Sequence, residues 1–202
     1  ERQLGVFNRG DHAVIGTVPG QTLDNDYSLN TVDICPVGAL TSRVFRFKQR
    51  AWNLDRSESL CGGCARGCNT YVDHRGNQVY RILPRSNDAV NECWMCDEGR
   101  LTYQRANENR MNFPMLKGEG SSINVSSEAA VNRAVELLGP AKGEGVLGAA
   151  LSLHTTIEEA YAFGVLLKDT FGVEKIALLE FDAWAGDELL KVSDRNPNRQ
   201  GI

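Results

Sequence analysis

The 202-residue chain sets 22 Lys and Arg against 26 Asp and Glu, a net charge of -4, which leaves no basic excess for a nucleic-acid face. With 42% hydrophobic and 24% charged residues its composition is that of a globular protein, and no apolar run approaches the roughly 18 residues of a membrane span. Disorder, a collagen-like repeat and a membrane-spanning helix are excluded. The chain opens at Glu1-Arg2-Gln3, without an initiator Met or a signal-peptide pattern, and reads as a piece of something longer.

Taken in chain order, three zones separate. Residues 1–50 are turn-rich: Gly5, Gly10, Gly16, Pro19-Gly20 and Asp24-Asn25-Asp26 interrupt brief apolar runs such as Ala13-Val14-Ile15, too little apolar material for an independent domain. Arg43, Arg46, Lys48 and Arg50 alternate with Phe45 and Phe47, the pattern of a strand with one solvated face. Residues 51–112 carry most of the cysteines. Between them, Thr70-Tyr71-Val72 and Gln78-Val79-Tyr80-Arg81-Ile82 flank a turn at Asp73 to Asn77 that contains His74 and Gly76, which predicts a hairpin. Asp97 to Asn107 reads as a short helix.

From residue 113 the texture becomes alternating helix and strand. Ser126-Ser127-Glu128 opens a helix with Val131, Ala134, Val135 and Leu138 on one face, stopped by Gly139-Pro140. Gly145 to Leu151 reads as a buried strand, Thr156 and Glu159 as the capping box of a helix that runs to Gly172, and Lys175 to Glu180 as the next strand. Strand, helix, strand implies a parallel βαβ unit. The expected class is α+β passing into α/β: a small β-rich subdomain followed by a truncated parallel α/β domain over residues 113–202.

Five of the six cysteines, Cys61, Cys64, Cys68, Cys93 and Cys96, lie within 36 residues, and Cys35 stands alone upstream. Such clustering, without a secretory signal, favours metal ligation over disulfides, and a reducing cytoplasm is the natural compartment. In Cys61-x2-Cys64-x3-Cys68, followed after 27 residues by Cys96, three thiolates within eight residues can wrap one corner of a cube. Gly62, Gly63 and Gly67 let backbone amides approach the sulfurs, and four thiolates are what a [4Fe-4S] cluster requires. A zinc site built from Cys61-x2-Cys64 and Cys93-x2-Cys96 is the rival, and it leaves Cys68 unused. Cys93 can also be a small buried hydrophobe, and Cys96 is preferred because Asp97, Glu98 and Gly99 begin the following helix. Cys35-Pro36 is the signature of a last cluster ligand whose three partners lie elsewhere, or else Cys35 is a free thiol.

The phrases Asp33-Ile34-Cys35-Pro36-Val37-Gly38-Ala39-Leu40-Thr41, Phe45-Arg46-Phe47-Lys48, Arg50-Ala51-Trp52 and Asn91-Glu92-Cys93-Trp94-Met95-Cys96-Asp97-Glu98-Gly99-Arg100, with the Cys61 motif between them, closely resemble the large iron-sulfur subunit of NADH:quinone oxidoreductase, respiratory complex I. The resemblance is contiguous from residue 1 to about residue 110. It continues weakly to Asp194-Arg195-Asn196-Pro197-Asn198, in what the family has as a degenerate molybdopterin-oxidoreductase region. It implies that Cys61, Cys64, Cys68 and Cys96 hold one [4Fe-4S] cluster in a subdomain of the molybdopterin-oxidoreductase N-terminal type (residues 51–112). It implies too that Cys35 is the last ligand of a second [4Fe-4S] cluster at the tail of a ferredoxin-like domain (residues 1–50), its other three cysteines lying before Glu1. The further clusters of the full subunit, a [2Fe-2S] and a His-ligated one, would lie further upstream. The implied role is transfer of electrons from NADH towards quinone alongside other subunits of the peripheral arm, on the cytoplasmic face of the inner membrane, with no membrane span or nucleic acid of its own. The segment alone is expected not to oxidise NADH.

Molybdopterin enzymes such as formate dehydrogenases share the four-cysteine motif and form the alternative, but they place a Lys two residues after the last ligand, where this chain has Glu98. No pterin or molybdenum is therefore expected. Gly143-x-Gly145-x-x-Gly148 satisfies a dinucleotide fingerprint in letters only, because it enters a strand where the mechanism needs a helix N-terminus. His12, His74 and His154 are expected to be surface or internally satisfied residues, and no catalytic triad or Cys-His pair can be assembled.

Overall fold

The structure, a computed structural model, describes residues 3–118, 120–141, 147–173 and 175–202. The first zone forms an antiparallel pair, β1 (Leu4–Phe7) and β2 (Val14–Thr17), registered from Leu4 opposite Thr17 to Phe7 opposite Val14. One short helix follows, α1 (Asn30–Ile34), with Cys35 at its C-terminal cap. The basic run after it is not a strand: residues 43–48 are turns, and Phe47 has a φ of 65° and is 91% exposed. In place of cross-strand partners, Arg46 lies 4.5 Å from the Phe47 ring centre, and Arg81 lies 4.2 Å from that of Phe45. Cation–π contacts satisfy these alternating residues without a ladder.

The middle zone is an antiparallel sheet, β3 (Asp55–Leu60), β4 (Asn69–Arg75) and β5 (Gln78–Pro84), with β4 in the centre. The expected hairpin is present, and its strands run further than predicted. The turn is only Gly76 and Asn77, with Gly76 in the left-handed region at φ 59°, so His74 lies within β4 opposite Asp55. The extension follows from Asp73, 2% exposed, which accepts from Arg56 on β3 (Nε, 2.7 Å) and Arg81 on β5 (Nε, 2.7 Å). Burial works to raise its pKa, but the two guanidiniums outweigh that and hold the carboxyl below its usual range. One buried carboxylate thus pins all three strands. The helix expected over residues 97–107 is two short ones, α2 (Asp97–Leu101) and α3 (Tyr103–Asn107). They divide at Thr102, whose hydroxyl donates to the Gly99 carbonyl at 2.8 Å.

Beyond a small hairpin, β6 (Met115–Lys117) and β7 (Ser122–Asn124), the third zone matches its pattern closely. Helix α4 (Ser127–Leu138) starts at the Ser126 cap. Its expected apolar face meets no core among the described residues: Val131, Val135 and Leu138 are all exposed. Strand β8 (Ala149–Ser152), helix α5 (Ile157–Phe171) and strand β9 (Ile176–Leu179) make the expected parallel βαβ unit, with Ala149 opposite Ile176 and Ser152 opposite Leu179. The Thr156–Glu159 capping box opens α5, and Gly172 closes it at φ 67°. The first part of the run expected as a strand from Gly145, and Gly143 with it, lie outside the described residues.

The whole is a mixed α and β structure with a thin core. Its accessible surface is 14697 Å², against about 9,400 Å² for a compact monomer of this mass. The cluster of buried side chains at its centre consists of Cys61, Cys68, Met95 and Leu190, with Tyr27 and Ile82 packed against it.

Candidate functional site

The sheet itself gathers the cysteines. Residues 61–68 are the loop joining β3 to β4, and the ladder that ends at Leu60 opposite Asn69 continues one step further, with the Cys61 amide donating to the Cys68 carbonyl at 2.8 Å. The hairpin therefore pinches the first and third cysteines together and carries Cys64 at the tip. Gly67, at φ 64°, makes the reversal that a side chain would resist. The fourth residue arrives from another element: Cys96 is the N-cap of α2, its sulfur accepting from the Gly99 amide at 3.4 Å, and the Gly63 amide approaches the Cys61 sulfur at the same distance. All four cysteines are buried free thiols.

The Cys61 and Cys96 sulfurs meet at Gly99. Burial pushes the Cys61 thiol up to about 12 and the Cys68 thiol to about 11, and raises that of Cys96; mutual repulsion within the set Cys61, Cys64, Cys68 and Cys96 adds to each. With no disulfide among them, burial keeps the Cys61, Cys68 and Cys96 thiols protonated at neutral pH, and a cationic centre would take those protons' place on ligation. The rim fits such a centre. A Cβ at Gly99 would lie 3.0 Å from the Cys61 sulfur, 3.1 Å from Met95 Cε and 3.3 Å from the Cys96 sulfur, so only glycine lets the backbone come this close.

Cys93 is exposed and apart from this set. Cys35 sits where α1 gives way to the Pro36–Leu40 loop. The backbone amide of Leu40 above all, with those of Ala39, Val37 and Gly38, lowers its thiol pKa against a smaller opposing effect of burial. A thiolate cradled by loop amides is suited to ligation.

Most of the surrounding machinery carries no local sequence signature. The Asp97 carboxylate accepts from the Ser28 hydroxyl and the Leu29 amide, and Asn30 donates to the Met95 carbonyl at 2.9 Å, so α1 is bound to the loop that presents Cys96. A segment from the far end of the chain covers the sulfurs. Arg66 in the cysteine loop donates to the Leu190 carbonyl at 3.1 Å, the Ala65 amide donates to the Asp194 carbonyl at 2.9 Å, and the Leu190 side chain packs among Cys61, Cys68 and Met95. Tyr27 donates to Asp187 at 2.6 Å and holds this cover from the other side; burial and that carboxylate together push its hydroxyl pKa up. This cover turns at Gly186, where a Cβ would strike the Lys191 carbonyl oxygen at 2.9 Å.

Beside Gly62 and Gly63 opens a cavity of about 340 Å³ whose walls include Glu98, Arg105, Trp184 and Arg195. His154 also lines it, packed edge-on to Phe181 with its pKa lowered by burial. His74 bonds Ser57 and His12 is a surface residue beside Asp11; neither lies near the thiols' rim.

Two family profiles match the chain. Residues 56–104 match the one described as NADH-ubiquinone oxidoreductase NDSU1/NuoG-like, 4Fe-4S domain, and residues 1–41 match NADH-quinone oxidoreductase subunit 3, ferredoxin-like domain. Among curated proteins, an NADH-quinone oxidoreductase subunit of Rickettsia conorii is 33% identical over 180 residues, 89% of this chain and 26% of that protein. NADH-quinone oxidoreductase subunit 3 of Thermus thermophilus is 36% identical over 165 residues, 82% of this chain and 21% of that protein. The mitochondrial NADH dehydrogenase [ubiquinone] iron-sulfur protein 1 of Solanum tuberosum is 39% identical over 148 residues, 73% of this chain and 20% of that protein. The chain thus spans about a quarter of the length of these relatives.

Proposed function

The chain belongs to the family of large iron-sulfur subunits of NADH-quinone oxidoreductase, and on that premise we propose that it is an electron-transfer segment in which Cys61, Cys64, Cys68 and Cys96 hold one [4Fe-4S] cluster. The observation that carries this is the convergence of four buried free thiols from two elements onto a glycine-lined rim. When bound, such a group supplies one-electron exchange at little structural change. The chain's own residues supply the environment. Met95 and Leu190 exclude water, and the amides of Gly63 and Gly99 point at sulfur and favour its anionic form.

Within this reading the segment has three parts: the tail of a ferredoxin-like domain (residues 1–50) with Cys35 as last ligand of a second [4Fe-4S] cluster, a cluster subdomain of the molybdopterin-oxidoreductase N-terminal type (residues 51–112), and the start of an α/β domain (residues 113–202). The protein as a whole passes electrons from NADH towards quinone. Its partners are other subunits of the peripheral arm, on the cytoplasmic face of the membrane. The large accessible surface and the exposed apolar face of α4 support a chain that is covered by other polypeptide. No helix among the described residues is long and apolar enough to cross a membrane.

The test is iron, zinc and acid-labile sulfide per chain in anaerobically purified protein. About four irons and four sulfides are expected for this site, with Cys68→Ser losing them and Cys93→Ser keeping them. Zinc without sulfide, lost on Cys93→Ser, overturns the reading.

A further inference from the structure

The cover over the thiols brings one buried cation with it. Lys191 Nζ lies 2.7 Å from Asp26 and 4.0 Å from Glu98, its side chain is 12% exposed, and it sits 4.9 Å from the centre of the Trp184 ring. The residue is fixed at its backbone as well: its amide donates to the Asp187 carboxylate at 3.0 Å and its carbonyl accepts from the Asp187 amide at 2.8 Å. The turn closes only because Gly186 has no Cβ. A lysine held this way is a placed charge rather than a mobile one. The placement reaches the site, because the preceding residue, Leu190, packs against Cys61 and Cys68, and Lys191 Nζ lies 4.0 Å from Glu98, two residues beyond Cys96.

We propose that Lys191, a positioning residue outside the ligand set, sets the reduction potential of the group held by Cys61, Cys64, Cys68 and Cys96, with Glu98 acting against it. The proposal rests on the cluster reading above. Adding an electron to a site that already carries four thiolates is electrostatically unfavourable, and a cation fixed at the rim lowers that penalty. The position two residues beyond Cys96, where a cation would be nearest in sequence, is the acid Glu98. The chain supplies the positive charge from more than 90 residues downstream and balances it with carboxylates at Asp26 and Glu98.

The experiment is an EPR-monitored redox titration of the full chain in its natural assembly, after iron and sulfide have been assayed in each preparation. Lys191→Met is expected to lower the reduced-to-oxidised ratio at fixed potential about tenfold, a downward midpoint shift of about 59 mV for one electron. Lys191→Arg restores the parent midpoint, and Glu98→Gln moves it upward. An unshifted midpoint in Lys191→Met with full iron and sulfide overturns the proposal, as does an arginine variant that fails to restore it. Should Lys191→Met lose its cluster, Glu98→Gln decides, and an unmoved midpoint there overturns the proposal. A Cys68→Ser variant with the parent's iron, sulfide and EPR signals unchanged instead overturns the cluster reading itself, so the two failures are told apart by that variant.

Discussion

Arg100 on α2 reaches Asp33 on α1 at 2.5 Å from a side chain only 4% exposed, and the same guanidinium donates to Asn30 at 2.6 Å. Helix α1 ends at Cys35 and α2 begins at Cys96. A single buried cation therefore fixes the relative position of two elements that each end in a candidate ligand. Asp33 is solvated, so removing the guanidinium leaves chiefly the buried Asn30 oxygen short of a donor, at a cost of about 1–3 kcal/mol. Arg100→Met should lower the denaturant midpoint accordingly. The electron spin interaction between reduced clusters, if both are filled, should weaken in parallel; an unchanged denaturant midpoint would show that the pair is idle.

Gly99→Ala places a methyl group 3.0 Å from the Cys61 sulfur and 3.3 Å from that of Cys96. Neither sulfur can retreat, since both are buried and needed at the rim. A loss of about 1–3 kcal/mol is expected for this kind of overpacking, together with iron content well below that of the parent. Full iron content in Gly99→Ala would show that the sulfurs are free to move.

The metal-free protein should lose stability in alkali. The folded-state thiol pKa values of about 12 for Cys61 and about 11 for Cys68 lie above the ordinary thiol value. The unfolded chain thus releases its thiol protons first as pH rises, and the stabilising contribution of the buried neutral thiols is present below about pH 8.5 and lost progressively above it. Filling the site reverses the preference, since ligation requires thiolates, and should release about four protons per cluster. Calorimetry in buffers of different ionisation enthalpy measures that release.

In acid the sensitive group is Asp73. Its folded-state pKa is depressed by Arg56 and Arg81 in spite of burial, so the stabilisation it gives is complete above the ordinary Asp value of about 3.9 and fades as pH falls through the lower folded value. Comparison of metal-free parent with Asp73→Asn should show a stability gap that is constant from pH 7 to about 5 and closes towards pH 3. A gap that stays open there would assign the effect to packing.

What could be read from the sequence was local. The capping box at Thr156, the stop at Gly172 and the two strands around them depend on residues within one element, and each formed as its letters indicate. The hairpin was visible, but its length was not, because Asp73 looks like a turn residue until Arg56 and Arg81 are seen to flank it from two other strands. The basic run at residues 43–50 failed as a strand for a related reason: alternation specifies a strand only where a neighbour offers a ladder, and the aromatic faces of Phe45 and Phe47 took the guanidiniums instead. At the site, the cysteine spacing and the glycine after Cys96 could be read directly. Tyr27, Asp187, Leu190 and Lys191 could not, since their contacts join positions some 160 residues apart.

That separation also orders events at the ribosome. The hairpin loop and Cys96 leave the exit tunnel together, whereas Leu190, which closes over them, follows some 90 residues later. At about 5–20 residues per second the four thiols stay open to solvent for roughly 5–20 s in each nascent chain. If these thiols hold the cluster, delivery of iron and sulfide would have its unobstructed access during that interval, and a chain that completed its cover empty would have to open the contacts of Leu190 and Lys191 to be filled.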